Sequence, residues 1–303
     1  MPAAVAKTWK GLQSMDFEVL ATGYCFLEAP RVAGDHIWFT DLLLGGVHRL
    51  SPDGTIDVFL PERHHIGGLA INADGCIIFG GPGSLSWLDP STGASGVLLD
   101  RIDGEPFTGA NDFIPDGKGG LYFGTLSKGA DYKAEPQLTS LFHIDAARKV
   151  RRLIDGLKFS NGVGLSPDRK RLYHNESLLG VFVYDILEDG TLANKALFNP
   201  REDGDGLAVD AEGGVWIAHF DSFEVARYRP DGVIDRRYRL PHKVVSSVCF
   251  GGPDWRDIYV TTAGHHGVEA LFTGEMPPRE ASLFRARSDI AGMAVAETRF
   301  VLP

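Results

Sequence analysis

Hydrophobic and polar positions along the chain repeat as a strand, a polar turn and a second strand. The pattern is clearest in 159–176, where an apolar approach (161–165), a polar turn (166–170) and a second apolar run (171–174) follow one another. A third run, a turn signal and an edge-like fourth run come next. Six second runs recur at intervals of 40 to 51 residues, centred on Trp38, Ile78, Tyr122, Tyr173, Trp216 and Tyr259. A period in this range indicates the four-stranded blade of a β-propeller.

Six repeats leave little chain unused, so the sequence predicts one domain over 1–303. We expect an all-β, six-bladed β-propeller with four antiparallel strands per blade. A β-sandwich with accidental regularity is the alternative, but a radial array of six in-register copies also protects the strand edges. The predicted blades span 24–60, 64–99, 101–154, 156–198, 204–240 and a last blade from 242.

The two ends of the chain are less defined by the pattern. Residues 1–14 are predicted to be a poorly ordered lead-in. The run 17–21 and the tail 298–302 both have the apolar character of an outer strand that fastens the last blade to the first. The pattern leaves open which of them completes the ring.

Two insertions, 126–139 and 264–281, lie between the second and third strands of their blades. Because strand directions alternate, both open on the face where the first strands begin. Long loops in compact domains often bind or cover ligands. We therefore expect both to border a functional face, the second as a partly apolar lid with Leu271, Phe272 and Met276.

Oxygen-bearing side chains recur where the first strands are predicted to begin. Counting back ten to thirteen residues from the aligned positions gives Glu28, Gly68, Asn111, Asn161, Asp205 and Ser247. Taken singly, the Asn-Gly and Asp-Gly pairs are ordinary turn chemistry. In a ring these positions converge, and crowded carboxylates repel one another unless a cation is present. Carboxylate and amide oxygens without Cys or His favour Ca²⁺ over Zn²⁺. The predicted metal ligands are Glu28, Asn111, Asn161 and Asp205.

Composition narrows the remaining possibilities. The formal charge of −10, without a basic cluster, argues against nucleic-acid binding. Cys25, Cys76 and Cys249 are expected to be buried free thiols in a reducing compartment. The sequence shows neither the apolar core of a signal peptide nor an apolar run long enough to span a membrane. A cytoplasmic protein without membrane or nucleic-acid partners is therefore expected.

Several motifs together resemble the SMP-30/gluconolactonase/luciferin-regenerating-enzyme family of six-bladed propellers. They are Glu28–Pro30, Asn111–Asp112 ahead of Asp116–Thr125, Ser160–Gly162 with Ser166–Asp168, and Asp205–Gly206 with Val215–Trp216. The resemblance implies one divalent cation held by Glu28, Asn161 and Asp205, with Asn111 as a fourth ligand or a substrate contact. Ca²⁺ is the expected ion, and Zn²⁺, Mn²⁺, Mg²⁺ or Fe²⁺ are alternatives.

The resemblance also implies a reaction, the hydrolysis of a small-molecule lactone or, in one branch, of a phosphotriester. Asp205 matches the aspartate that serves the family as general base. Two positions depart from the family pattern. Ala29 replaces a glycine, and Gly109 stands where sugar-lactonase members carry an arginine that contacts sugar hydroxyls. The second departure leaves room for a lactone less polar than a sugar lactone.

Histidines supply further candidate site residues. His266, beside His265 in the second insertion, is a candidate proton shuttle and substrate contact, with an exposed loop as the alternative. His65, beside His64, precedes the first strand of blade two and is a candidate substrate contact, whereas His174 is expected to be a packed core residue. The chain has no G-x-S-x-G motif for a serine nucleophile. An arylesterase-like or phosphotriesterase activity, or a non-enzymatic propeller with a structural ion, are the competing functions.

Overall fold

Antiparallel strands make up most of the protein, whose computed structural model describes residues 12–127 and 137–303. Two strands precede the first group: β1 (Leu12–Gln13) and β2 (Glu18–Tyr24). The first group is β3 (Leu27–Ala33), β4 (His36–Asp41), β5 (Val47–Leu50) and β6 (Ile56–Phe59). The second group is β7 (Leu69–Ile71), β8 (Ile77–Pro82), β9 (Ser84–Leu88) and β10 (Ser95–Leu99).

The third group follows a small hairpin of β11 (Arg101–Ile102) and β12 (Glu105–Pro106) that the sequence pattern did not predict. The third group is β13 (Gly109–Pro115), β14 (Leu121–Thr125), β15 (Thr139–Ile144) and β16 (Val150–Leu157). The fourth group is β17 (Ser160–Leu165), β18 (Arg171–Glu176), β19 (Gly180–Ile186) and β20 (Leu192–Asn199).

The last two groups complete the series. The fifth is β21 (Gly204–Val209), β22 (Val215–His219), β23 (Glu224–Tyr228) and β24 (Ile234–Arg239). The sixth contains β25 (Val244–Gly251), β26 (Asp257–Ala263), helix α1 (Gly267–Thr273) and β27 (Ala281–Arg287). Every group pairs its strands antiparallel in chain order. All six predicted repeats are therefore strand groups at the expected places.

Neighbouring groups pack through their first strands in a cyclic order. β3 contacts β7, which contacts β13, and the series continues through β17, β21 and β25 back to β3. Each neighbouring pair also shares a buried hydrophobic cluster. The cluster between the sixth and first groups contains Phe39 and Tyr259, so the last group packs against the first as the others pack against their neighbours.

The N-terminal strand, and not the tail, completes the sixth group. β2 pairs antiparallel with β27, with Val19 opposite Phe284. The chain beyond β27 instead runs across other groups, and we call residues 290–302 the C-terminal strap. Its backbone accepts a hydrogen bond from Ala211 N (2.9 Å), and Thr298 N donates to Ile71 O (2.9 Å). The strap thus ties the fifth group to the second.

Some expectations need correction. Leu12–Gln13, the end of the predicted lead-in, forms β1 because it pairs parallel to β24 at Arg237 and Tyr238; residues 1–11 lie outside the described residues. So do 128–136 of the first insertion. The second insertion is not only loop, since it contains α1, which ends at the left-handed Gly274 (φ 73°).

Cys76 is only partly buried, and the three thiols are free. No helix of the described chain has the length and apolarity to span a membrane.

Candidate active site

The starts of the first strands lie against one another. The Thr40 hydroxyl donates to the carbonyl oxygen of Ile66 (2.6 Å), which joins the first group to the second. A β-carbon on Gly162 would lie 2.4 Å from the carbonyl oxygen of Asp205. Only glycine permits so close an approach of the two backbones. The side chains at this end of the first strands are therefore brought together, as the sequence predicts.

Three carboxylates and one guanidinium meet at this convergence. Glu28, Asp112 and Asp205 expose only 6%, 6% and 5% of their surface. Burial raises the pKa of Glu28 well above its usual range, and the charges of Asp205 and Asp112 raise it further. Burial, followed by the charge of Asp112, likewise raises the pKa of Asp205. Burial raises the pKa of Asp112 to about 6 although Arg31 opposes the shift.

These shifts have one physical origin, an excess of buried negative charge. When all four side chains are ionised, one guanidinium leaves the three carboxylates with a net formal charge of −2. Buried charges of one sign are costly unless a counter-charge neutralises them. One divalent cation would supply that counter-charge.

Hydrogen bonds fix the orientation of the Asn161 amide. The Ser177 hydroxyl donates to the carbonyl oxygen of Gly204 (2.7 Å), so its oxygen is left to accept. It accepts from Asn161 Nδ2 (2.9 Å). Asn161 Oδ1 consequently points the other way, towards Asn111, whose Nδ2 lies 2.8 Å from it. An amide oxygen held in this manner is a ligand that hard cations accept.

Asn111 is held by its amide nitrogen. Its Nδ2 donates to the Ser160 carbonyl oxygen and to Asn161 Oδ1, both at 2.8 Å, which uses both of its N–H groups. The remaining atom, Oδ1, faces Gly67, where a β-carbon would lie only 2.3 Å away. The side chain therefore presents an oxygen, as either a metal ligand or an acceptor for substrate would.

The predicted ligands fit a hard cation only if carboxylate and amide oxygens bind it together. In 12–127 and 137–303, no three His, Cys, Asp or Glu side chains are arranged to hold a metal ion. Glu28 and Asp205 supply two carboxylates, so Asn161, with or without Asn111, has to supply amide oxygen. Such a set suits Ca²⁺, which accepts carboxylate, amide and water oxygens in flexible geometry.

Two histidines predicted from the sequence differ in their surroundings. His65 is half-buried and has a left-handed backbone (φ 60°), four residues before β7 begins. Burial, with the neighbouring His64, lowers its pKa to about 4, so His65 is neutral near pH 7. His174 is fully buried with Nε2 2.8 Å from the Ser160 hydroxyl, which agrees with a packed core residue.

His266 lies on the surface at the start of α1. Its side chain is 62% exposed, and its Nδ1 lies 3.8 Å from the carboxylate of Glu269, three residues further along the chain. No contact joins it to Glu28, Asn161 or Asp205 within the described part of the chain. Its roles as proton shuttle and substrate contact stay predictions.

Sequence reasoning missed three residues of this cluster. Asp112 and Arg31 add charge beneath the predicted ligands, and Ser177 orients Asn161. Asp112 had a signal, since it stands beside Asn111 in a family motif. Arg31 had none, because its effect on Asp112 crosses from the first group to the third. Ser177 had none, because its orienting role depends on its hydrogen bond to Gly204 in the fifth group.

Position 109 cannot carry a side chain. Gly109 has a left-handed backbone (φ 114°), and a β-carbon there would lie 2.0 Å from the Gly81 carbonyl oxygen. This approach results from the pairing of β13 with β8, which places Ala110 opposite Gly81. The arginine that sugar lactonases are expected to carry at this position has no space here.

We expect Gly109→Ala to lower the free energy of unfolding by about 2–3 kcal/mol, because strain at positive φ adds to the clash with Gly81. Gly54→Ala is a matched control, since Gly54 also has positive φ (87°) but no atom within 4 Å of its hypothetical β-carbon. The control should lose only about 1 kcal/mol. Chemical denaturation of both variants measures the difference. Equal losses would contradict the close approach at Gly81.

The fold and site define an all-β protein with a buried, negatively charged cluster where its first strands converge. The sequence model of the SMP-30/gluconolactonase/LRE-like region matches residues 27–264. The chain belongs to this family, which confirms the resemblance seen in its motifs.

Individual relatives agree with the assignment. The chain is 30% identical to a pentonolactonase of Haloferax volcanii, over 87% of this chain and 89% of that protein. It is also 30% identical to a 6-deoxy-6-sulfogluconolactonase of Pseudomonas putida, over 89% of this chain and 96% of the relative. Among solved structures, a calcium-binding regucalcin of Agrobacterium tumefaciens matches with a TM-score of 0.80, 23% identity, and 96% and 99% of the two chains. At that identity, the similarity shows the fold alone.

Proposed function

We propose that the six strand groups form a closed six-bladed β-propeller that holds one divalent cation at its centre and hydrolyses a lactone. The cyclic contacts of the first strands support the ring. The observation that carries the function is the pair of buried carboxylates, Glu28 and Asp205, near the oriented amide of Asn161. The two relatives named as lactonases support the reaction.

The cation would be held by Glu28, Asn161 and Asp205, with Asn111 as a fourth ligand or as a substrate contact. Ca²⁺ is the proposed ion because all these donors are oxygens. When bound, the cation supplies Lewis acidity, which polarises the lactone carbonyl and acidifies water.

Asp205 would act as the general base. Its carboxylate takes a proton from the attacking water, whose oxygen bonds to the carbonyl carbon. The bond between that carbon and the ring oxygen then breaks, and the proton passes to the ring oxygen, which gives a hydroxy acid. Asn175 Nδ2 donates to the Asp205 carbonyl oxygen (2.8 Å), so the backbone that carries the base is fixed. His65 would contact the substrate as a neutral ring.

Metal add-back tests this proposal. Protein stripped of metal should not hydrolyse lactones, and Ca²⁺ should restore turnover, measured as acid release with sugar lactones and with alkyl-substituted γ- and δ-lactones. Mn²⁺, Zn²⁺, Mg²⁺ and Fe²⁺ should be compared in parallel. Stoichiometric binding without turnover of any lactone would contradict the enzyme and favour a structural ion.

Glu28→Gln should weaken cation binding by more than about 100-fold, since even outer residues of metal sites contribute 10- to 100-fold. The substitution keeps the shape of the side chain but removes one of the two carboxylates. Titration calorimetry with Ca²⁺ measures the change. Glu188→Gln, on an exposed turn, is the control and should bind as the wild type does. Unchanged affinity in Glu28→Gln would place the cation elsewhere.

A further inference from the structure

One side of the site opening is apolar, and we define this apolar wall as Phe26, Leu42, Leu44, Phe220 and Leu271. Together with Cys25, Leu43, Val244, Ala263 and Ala270 they form one hydrophobic cluster. Phe26 is buried, whereas the other four wall residues keep part of their surface accessible. The wall therefore combines a packed base with exposed carbon atoms.

Backbone hydrogen bonds place the wall beside the two carboxylates. Phe26 precedes Glu28 by two residues, and Leu42 N donates to Phe26 O (2.8 Å). Phe220 N donates to the carbonyl oxygen of Asp203 (2.7 Å), which precedes Asp205 by two residues. The two aromatic rings meet, with centroids 6.0 Å apart. The wall is thus linked to the backbone two residues before each carboxylate, on the side of the first, fifth and sixth groups.

The opposite side of the site is polar. Asn111, Asn161 and Ser177 come from the third and fourth groups and carry hydrogen-bonding atoms. His65 adjoins the wall instead, because its N–H donates to the carbonyl oxygen of Leu42 (2.9 Å). In the cyclic order of the groups, the third and fourth groups, which we call the polar half, consequently lie across from the sixth and first groups of the wall. A bound molecule that matches both halves needs a polar reacting group and an apolar body.

Two cations near the wall are paired, whereas a third, Arg279, is exposed and its charge acts on Cys25 of the same cluster. Arg201 is held by Asp203 and Glu224, and Lys243 is held by Asp221. Arg201, whose partner Glu224 is buried, is therefore not free to bind a sulfonate or phosphate on a substrate. The wall also offers no hydrogen-bond partner for sugar hydroxyls, and Gly109 has no space for the arginine that would bind them.

We infer that the substrate is a lactone with an apolar substituent on its ring, which packs on the apolar wall while the ester group faces the polar half. This inference rests on the proposed lactonase function and specifies its substrate class. Burying one methylene group multiplies kcat/KM by about fourfold if the contact is made in the transition state. Alkyl chain length is therefore the variable to test.

The test compares δ-valerolactone, δ-octalactone, δ-decalactone and glucono-δ-lactone with the metal-loaded enzyme. We expect kcat/KM to rise by roughly two- to fourfold per methylene group, and glucono-δ-lactone to be the poorest substrate. Preference for glucono-δ-lactone over δ-decalactone would overturn the inference but leave the lactonase function intact. Turnover of none of these lactones with any metal would instead overturn the lactonase function itself.

Wall variants separate a substrate contact from a general effect. Phe220→Ser should lower kcat/KM for δ-decalactone by about tenfold or more and leave δ-valerolactone within about twofold. Phe220→Leu should retain most of the chain-length dependence. Leu271→Ser tests the wall at the half-buried face of α1 if Phe220→Ser fails to fold. Leu197→Ser, on the exposed face of β20, is the control. Chain-length dependence that survives both serine substitutions in the wall would contradict the assignment.

Discussion

Asp205→Asn is expected to abolish lactone hydrolysis while the protein stays folded. Asparagine preserves the size of the side chain and one ligand oxygen, but it cannot take a proton from water. Loss of a general base typically lowers kcat by about 10²–10⁴-fold. The measurement is kcat at saturating Ca²⁺, so that weaker cation binding does not contribute. Asp100→Asn, at an exposed position, is the matched control.

The same substitution, although it removes activity, should stabilise the metal-free protein. Burial and Asp112 raise the folded-state pKa of Asp205 above its unfolded value, so its ionisation costs stability as pH rises. The cost is absent below the ordinary carboxyl pKa of about 4 and complete above the raised pKa. Metal-free Asp205→Asn should therefore have a higher Tm than the metal-free wild type at pH 8.

Two outcomes would contradict this assignment. Near wild-type turnover in Asp205→Asn would exclude Asp205 as an essential base. A lower Tm for the metal-free variant at pH 8 would mean that the buried carboxylates do not repel one another, and the electrostatic case for a central cation would fail. The two measurements test the catalytic and the electrostatic role independently.

The strand groups, and the convergence of the residues predicted as ligands, could be read from the sequence for the same reason. A repeat fixes the phase of every strand, so residues at equivalent points, such as Glu28, Asn161 and Asp205, are brought to equivalent places. The apolar runs centred on Trp38 and Trp216 lie in β4 and β22 as expected. The position of a residue within its repeat, however, does not show which side chains of other groups it contacts.

The features that the sequence did not predict are those that do not recur in each repeat. α1 has only seven residues, too few for helical periodicity to be recognised, and its stability comes from packing Ala270 into the cluster of the apolar wall. Arg31 influences the carboxylates across strands. Which end of the chain completes the sixth group depends on long-range strand pairing. β2 pairs with β27, and the C-terminal strap therefore crosses the other groups.

Asn72→Ala is expected to lower the free energy of unfolding by about 3–5 kcal/mol, because it detaches the C-terminal strap. Asn72 is 2% exposed. Its Nδ2 donates to Phe300 O (3.1 Å), while its Oδ1 accepts from Thr298 Oγ1 (2.8 Å) and Phe300 N (2.9 Å). Alanine removes all three hydrogen bonds and leaves buried partners unsatisfied. For a chain of this size we expect Tm to fall by roughly 5–8 °C.

Phe300 provides an independent check, because its ring is buried in the core shared by the second and third groups. Phe300→Ala should cost about 3–5 kcal/mol, and the double variant with Asn72→Ala should cost clearly less than the sum, since either change alone releases the strap. Ser91→Ala, with one exposed side-chain hydrogen bond to Asp89, is the control and should change stability by less than about 1 kcal/mol. Fully additive losses would show that the strap does not detach as a unit. Because the strap packs beyond the far ends of the first strands, kcat of the folded single variants should match the wild type.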